Sequence, residues 1–531
     1  MKKILIIFLL PFAILYAQDD KSNNPNVELP DFVITGKDVV SIKRAKKIEP
    51  EFVPIVTQKF LKPHHKPEEL GLRELSHPLN SELNLLDSTN NFRGIISAKA
   101  GIYTLPYGKI GYAYPFTNGM VEFNIGALNQ REYIDNSGRY SVFGGAGVSY
   151  TIGLEDEAVS GTKFYLNGNY SSTNYKLFAS ENPADERTKN SGNYNFGVQN
   201  LSGRNFIFDL NLKNNATSLS NSSFNENLLR FNGYGFIQFA DVGVGVKSNY
   251  QSQFFTNDSL SNKNFSFFFI RPYVSFKLFN TIFTEAGYSF TNSGGQSFNK
   301  IYVSGKLKFS NNLILMGEFS PQAEFLTSGT LLRRNDYFTA KTFTNLFVRK
   351  SNYFDVSLKY EYEKYYQISG GLIHYKSGNL PYFTDGDLSG QFKLNTSDAE
   401  EYNAYLNLLY NTGPYGFFYG SFNYFKVTDK NSRKLPYYPS LKAALTYGYN
   451  FDIGLLTEIT ANYSSDRYTN IENTNKLGSF FNLGLKFTYT LQNTFLLKLE
   501  FQNLLDKDIF YWNGYKEKPL DVVIGINYLF N

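Results

Sequence analysis

From residue 92 to residue 531, hydrophobic side chains recur at every second position. In the stretch 92–103, Phe92, Ile96, Ala98, Ala100 and Ile102 are apolar, with Arg93, Ser97 and Lys99 between them. Phe206, Phe208, Leu210 and Leu212 alternate with Asp209, Asn211 and Lys213. Phe481, Leu483, Leu485, Phe487 and Tyr489 alternate with Asn482, Lys486 and Thr488. Phe495, Leu497, Leu499 and Phe501 flank Lys498 and Glu500, and Val522, Ile524, Ile526, Tyr528 and Phe530 share one face of the last segment. A period of two places alternate side chains on opposite faces of a strand. Runs of about 8–12 residues with charge opposite Phe fit a wall that is lipid-facing outside and wet inside. A soluble β-sandwich fits less well, because its strands run nearer to about 5–6 residues.

The links between these segments alternate in length. Thr117-Asn118-Gly119, Leu201-Ser202-Gly203, Ala240-Asp241, Phe279-Asn280, Asn311-Asn312, 411–414, 450–452 and Gln492-Asn493 are short and turn-like. Between them lie longer polar links at 180–192, 217–226, 291–297 and 466–476. Tight turns on one rim and longer loops on the other are the habit of an outer-membrane barrel. A raw count gives about 24 extended segments; joining 346–361 and leaving 385–394 as loop gives about 22. The fold class is therefore all-β: a transmembrane antiparallel barrel of about 22 strands, alternatively 24, over 91–531, with an extended N-terminal tail.

Composition agrees. The 531 residues include 50 Phe, 41 Tyr and 42 Gly but one Trp. Aromatic residues suit a pleated surface. A mean hydropathy of −0.32 does not describe a helical membrane protein. The chain has no Cys, which removes disulfides, thiolate metal sites and a lipoprotein anchor. The net charge of +5 is spread too widely to mark a partner.

The first 90 residues differ. Lys2 and Lys3 precede the apolar run 4–15, and Ala17 precedes Gln18-Asp19-Asp20. That is a signal-peptide pattern for 1–17, and the run is shorter than the roughly 20 residues a spanning helix needs. Residues 18–90 carry Pro25, Pro30, Pro50, Pro54, Pro63, Pro67 and Pro78 and a basic cluster, Lys43, Arg44, Lys46 and Lys47. No period persists there, so this reads as a mostly disordered periplasmic tail with a short helix near 68–75. The basic cluster reads as solvated linker, or as a contact to lipid headgroups or peptidoglycan.

Catalytic and cofactor chemistry is not expected. The His residues are His64, His65, His77 and His374. Adjacent His64 and His65 make a poor metal pair, and no thiolate assists. His374 and Ser377 are three apart, on opposite faces of a strand. Glu361 and Glu363 share a face and read as solvated carboxylates, or as a site in the lumen. No phosphate-binding Gly loop or aromatic nucleic-acid platform occurs, so no nucleic-acid partner is expected.

The run Leu499-Glu500-Phe501-Gln502-Asn503-Leu504-Leu505-Asp506-Lys507 resembles the penultimate-strand signature of TonB-dependent outer-membrane receptors. Val523–Phe530 resembles that family's closing strand. The stretches 319–325, 331–337 and 379–383 are similar to mid-barrel stretches of its plug-poor members. Near the N-terminus, Glu28-Leu29-Pro30-Asp31-Phe32-Val33-Ile34-Thr35-Gly36 resembles the TonB box or the start of the plug. Phe32, Val33, Ile34 and Thr35 would pair as an added strand on a periplasmic partner's sheet edge. A chance β-prone patch, or a strand docking on the barrel's own rim, reads equally well.

The resemblance implies a 22-stranded barrel in the outer membrane of a Gram-negative-type bacterium, in contact with its lipid, with TonB or another periplasmic protein engaging 28–36. It also implies a plug of well over a hundred residues, yet only 55 residues separate Gly36 from Phe92. A lumen this wide is not filled by wall side chains. Either the tail folds into it, a partner supplies a plug, or loops turn inward. Nutrient uptake or binding is the first expectation; a plugless scaffold for a periplasmic or surface complex and an open porin are the alternatives.

Overall fold

The computed structural model describes residues 93–531, except 153–159, 201–205, 221–223, 258–262, 280, 340–344, 363–365, 387–388, 412–415 and 452. The expected signal peptide and tail, with Phe32, Val33, Ile34 and Thr35, lie outside the described residues.

The alternating segments form one ring of antiparallel strands. In chain order these are β1 (Gly94–Gly101), β2 (Thr104–Phe116), β3 (Gly119–Gln130), β4 (Arg139–Thr151), β5 (Lys163–Lys176) and β6 (Glu186–Asn200). Then come β7 (Phe206–Leu219), β8 (Asn225–Phe239), β9 (Val242–Thr256), β10 (Lys263–Leu278), β11 (Ile282–Ser293) and β12 (Lys300–Lys308). Strand β13 runs as Leu313–Phe319 and resumes as Gln322–Thr327. The ring continues with β14 (Asn345–Tyr362), β15 (Tyr366–Asp385), β16 (Phe392–Asn411), β17 (Phe417–Asp429) and β18 (Leu441–Phe451). It ends with β19 (Leu455–Ser464), β20 (Phe480–Leu491), β21 (Phe495–Gln502) and β22 (Asp521–Phe530). Each pairs with the next, and β22 returns to β1 in register from Gly94↔Phe530 to Gly101↔Val523.

The count among the described residues is 22. The sheet has 24 pieces only because β13 is split at Ser320-Pro321 and the two residues Gln296–Ser297 pair briefly with β11. Proline cannot donate to the ladder, and both halves of β13 still pair with the single strand β14. Beside the split, the β14–β15 register shifts between Ser351 and Phe354, and Asn352 takes φ +51°. What the sequence shows near Ser351 as an ambiguous link is this bulge.

The two faces follow the alternation. Ile110, Ile125, Leu166, Ile301, Leu372 and Ile524 are exposed on the outside, where lipid would cover them. Tyr360, Tyr362, Tyr366 and Tyr410 pack ring against ring at 5.3–6.0 Å at the turn-side rim, where amphipathic rings favour the membrane interface. The inner face is polar. Lys486 pairs with Glu458 at 2.9 Å. Lys99 reaches Glu500 at 2.9 Å across the intervening strand β22. It crosses at Gly525, where a Cβ would stand 2.9 Å from Lys99 Cγ. Amides form a ladder across β7–β9, Asn232 donating to Asn211 at 2.7 Å and Asn249 to Asn232 at 2.5 Å.

Short and long links do alternate around the ring, but the strands run further than the sequence suggests. Residues 186–192 read as loop, yet they belong to β6, paired with β5 from Tyr170↔Gly192 to Lys176↔Glu186. Beyond the hydrocarbon both faces of a strand are wet, so the period of two fades while the ladder continues. Leu331–Tyr337, expected in the wall, leaves it altogether, its first residues forming the end of a short helix.

Asp521 locks the seam at the outer rim. Its fully buried carboxylate accepts from the Tyr103 backbone N–H at 3.0 Å, Thr104 Oγ1 at 2.7 Å and Lys518 Nζ at 2.6 Å. Removing one member of such a buried charge pair costs about 3 kcal/mol. Asp521→Ala should therefore lower, by several degrees, the temperature at which the folded barrel loses its fast mobility on unheated SDS gels; an unchanged transition would show that the seam does not depend on this lock.

Candidate functional site

The long link after β13 does not project away from the barrel. Thr327 caps a short helix, α1 (Ser328–Arg334), its side chain accepting from the Thr330 N–H at 3.4 Å. Seven residues are too few for a helix to persist by itself, so the ring must hold it. Glu226 at the start of β8 does so. Its carboxylate accepts from Thr327 Oγ1 at 2.7 Å, the Gly329 N–H at 3.1 Å and Gln253 Nε2 at 2.9 Å.

The chain beyond α1 crosses to the outer ends of β4–β6. There Asp336 meets Arg139 Nη2 at 2.9 Å and forms a second ion pair with Lys189. The Asp336 carbonyl accepts from Tyr175 Oη at 2.7 Å and Arg187 Nη1 at 2.9 Å, and Arg187 also reaches the Phe338 carbonyl at 3.2 Å. Burial by itself would raise the Asp336 carboxyl, but the charges of Arg139 and Lys189 outweigh it and hold the group below the ordinary carboxylate range. The lid thus starts from strands 13 and 14 of the ring and is latched to strands 4–6, far around the circle.

Apolar packing completes the closure. Leu331 and Leu332 of α1 are fully buried in a cluster with Phe224, Phe255, Phe338, Phe383, Phe392 and Tyr515, which come from several different links and strand ends. Tyr337 stacks on Tyr515, and Trp512 packs against Phe392 at 5.1 Å and Tyr437 at 4.8 Å. The backbone joins too: Thr339 N donates to the Phe392 carbonyl at 2.8 Å, and Phe392 N to the Tyr337 carbonyl at 3.2 Å.

Beneath the lid lies a cavity of about 310 Å³. Leu331 and Arg334 of α1 contribute to its lining, and Tyr437 and Trp512 come from the outer loops. It descends along the inner wall past Lys350, Tyr375, Glu401 and Asn462. A concave aromatic site with a few convergent polar groups is the usual form of a small-molecule pocket.

Solved structures of the same shape exist. The chain superposes on the FrpB iron transporter of Neisseria meningitidis with a TM-score of 0.63, at 10% identity, over 84% of this chain and 82% of that one. The ferric-catecholate import receptor Fiu of E. coli K12 gives 0.62 at 12% identity, over 83% and 82%. The siderophore receptor PiuA of Acinetobacter baumannii gives 0.59 at 11% identity, over 82% and 81%. The fold is that of a TonB-dependent receptor barrel. No family model and no curated protein matches the chain.

In this barrel, the run that resembles a penultimate-strand signature is a loop clasp. Asn503 and Asp506 both take positive φ, +51° and +49°. Asn503 Nδ2 donates to the Lys507 carbonyl at 2.9 Å, and Asp506 accepts from the Leu520 N–H at 2.9 Å. These bonds fix both ends of the loop that carries Trp512 and Tyr515. His374 and Ser377 lie on opposite faces, as expected: His374 packs on the outward Tyr402 at 4.4 Å, and Ser377 is buried. Glu361 pairs with Lys359 at 2.8 Å, whereas Glu363 is outside the described residues. Sequence reasoning offered inward-turning loops as one way to close the lumen but did not locate the lid or its latch. The available signal was a set of cations, Arg139, Lys176, Arg187 and Lys189, at the outer ends of three consecutive strands.

Asp336→Asn leaves Arg139 and Lys189 without their carboxylate, a loss of about 3 kcal/mol. Hydrogen exchange at 328–339 should speed up about a hundredfold, with β1–β3 unaffected; unchanged exchange would remove Asp336 from the closure. Because the Asp336 carboxyl is held below its ordinary value, the protection it gives is complete at neutral pH. It should be lost progressively as pH falls from the ordinary carboxylate range toward the lower value at which the latched carboxyl titrates. Loss of protection on raising the pH instead would contradict the assignment.

Proposed function

We propose that this chain is an outer-membrane receptor that binds a nutrient from outside the cell and admits it through the barrel with energy supplied through TonB. The observation that carries this reading is the cavity under a latched lid, inside a ring of 22 strands. An open porin needs no such latch. The solved structures of similar fold are described as an iron transporter, a siderophore receptor and an import receptor, which supports uptake over scaffolding. Phe32, Val33, Ile34 and Thr35 would supply the TonB contact, pairing as an added strand on the edge of TonB's sheet. The tail before the barrel would then lie in the periplasm, after removal of residues 1–17.

The test is growth on a panel of limiting nutrients. A strain lacking the chain should fail on one of them, and the full chain should restore growth. A version without Val27–Gly36 should reach the outer membrane yet restore none of it. Equal restoration by the shortened chain would sink the TonB role.

A further inference from the structure

Lysines of the wall such as Lys109, Lys213 and Lys277 alternate with exposed Ile110, Leu212 and Phe276, and so point inward. Lys376 and Lys426 do the opposite. Both are exposed, while Ile373 and Tyr375 on β15 and Phe425 and Val427 on β17 are buried on the inside. On the outward face His374 lies opposite Tyr402, and Tyr402 opposite Lys426. One step further out Lys376 lies opposite Glu400, and Glu400 opposite Thr428. Exposed Lys434, from the link after β17, forms a backbone bridge with Thr428 and joins the same face. Nearer the turn-side rim that face is apolar, with Phe354, Leu372 and Tyr424 exposed.

Counting along the strands sets the height of this patch. Tyr366 and Tyr410 mark the turn-side rim. Lys376 follows Tyr366 by ten residues on β15, and Glu400 precedes Tyr410 by ten on β16. Ten residues at about 3.3 Å each, on strands tilted by about 40°, rise about 25 Å. The lipid-facing band of such a barrel is about 25 Å tall. The lysines therefore stand where hydrocarbon ends and the outer headgroups begin. Among the described residues no carboxylate pairs with Lys376, Lys426 or Lys434. Glu400, opposite Lys376, turns instead to Tyr402 Oη at 3.1 Å and His374 Nε2 at 3.6 Å. Lys434 Nζ donates to a neutral partner, Ser440 Oγ, at 3.0 Å.

We propose that this arc of the outer wall seats a lipid whose headgroup carries phosphate, the phosphate lying between Lys376, Lys426 and Lys434 and the chains running down over Leu372, Phe354 and Tyr424. The spacing suits it. Lys376 and Lys426 are two strands and two residues apart, about 12 Å between Cα atoms, a gap that two lysine stems span with a phosphate between their ends. The stacked pair His374 and Tyr402, 4.4 Å apart, forms the floor between them. A phosphate free in solution would meet the same charges but leave the apolar face beneath them uncovered, whereas a lipid uses both. This inference concerns the outer wall and does not depend on what crosses the lumen.

The experiment titrates lipid onto the purified full chain in detergent and counts bound lipid by native mass spectrometry. The probes are dioleoyl phosphatidic acid, dioleoyl phosphatidylcholine, which has the same chains and no net charge, and inorganic phosphate. Phosphatidic acid should bind saturably, about tenfold or more tighter than phosphatidylcholine, and more weakly as salt rises. Inorganic phosphate in large excess should not displace it. Lys376→Gln combined with Lys426→Gln should weaken phosphatidic acid about tenfold or more, while the unheated-gel mobility stays that of the folded barrel. Lys426→Gln alone serves the same purpose should the double variant fail to fold. Lys277→Gln, on the inner face, should leave the affinity as it was. Equal binding of the two lipids, or unchanged affinity in the folded lysine variant, would overturn the proposal. So would an equal loss in Lys277→Gln, and displacement by inorganic phosphate would show a site for the free anion instead of the lipid.

Discussion

A strand that crosses a lipid bilayer must find a partner for every backbone N–H and C=O, because hydrocarbon offers none. The ring meets that demand by returning β22 to β1, and much else follows from closing it. Closure at 22 strands forces one face of each strand outward and one inward. The outer face can then be only apolar, as with Ile96, Ile110, Ile524 and Ile526. The inner face can be polar, with pairs such as Lys99–Glu500 and Lys486–Glu458. It also commits the molecule to a lumen too wide for its wall residues to fill.

The outer mouth answers the second consequence of that width. A seven-residue helix and the turn after it run at the outer mouth between strands that are not neighbours, held at one end by Glu226 and at the other by Asp336. The two anchors differ in kind. Glu226 accepts bonds from neutral donors, so its hold is geometric. Asp336 is held by charge, with Arg139 and Lys189 on neighbouring strands. Charge pairs formed in a largely buried setting are strong when complete and costly when broken. That asymmetry gives the lid a discrete shut state. The cavity under it is bounded partly by the lid itself, through Leu331 and Arg334, so lid position and cavity shape are one variable.

The barrel was legible in the sequence because lipid imposes a period of two that no local preference can erase. The count of 22 needed one long strand at 345–362, and the structure has it, bulged where Asn352 takes a positive φ. The outer halves of the strands were not legible, since both faces there are wet and residues such as 186–192 carry no alternation. The lid was invisible for a different reason. Asp336 lies 147 and 197 residues from Lys189 and Arg139, and α1 is too short to show a helical period. The clasp at Asn503–Lys507 could be recognised by resemblance, but its job, pinning the loop that carries Trp512 and Tyr515, emerges only from its bonds.

The latched lid at the outer mouth is the claim on which the closed cavity and the proposed uptake both rest. A pulsed electron-spin distance measurement tests it most directly. One spin label would replace exposed Arg333 on α1, and the other exposed Asp135 in the loop between β3 and β4. A single narrow distance is expected at neutral pH in the wild-type background, broadening when Asp336→Asn is added. A broad distribution in the wild-type background, unchanged by Asp336→Asn, would contradict a latched lid.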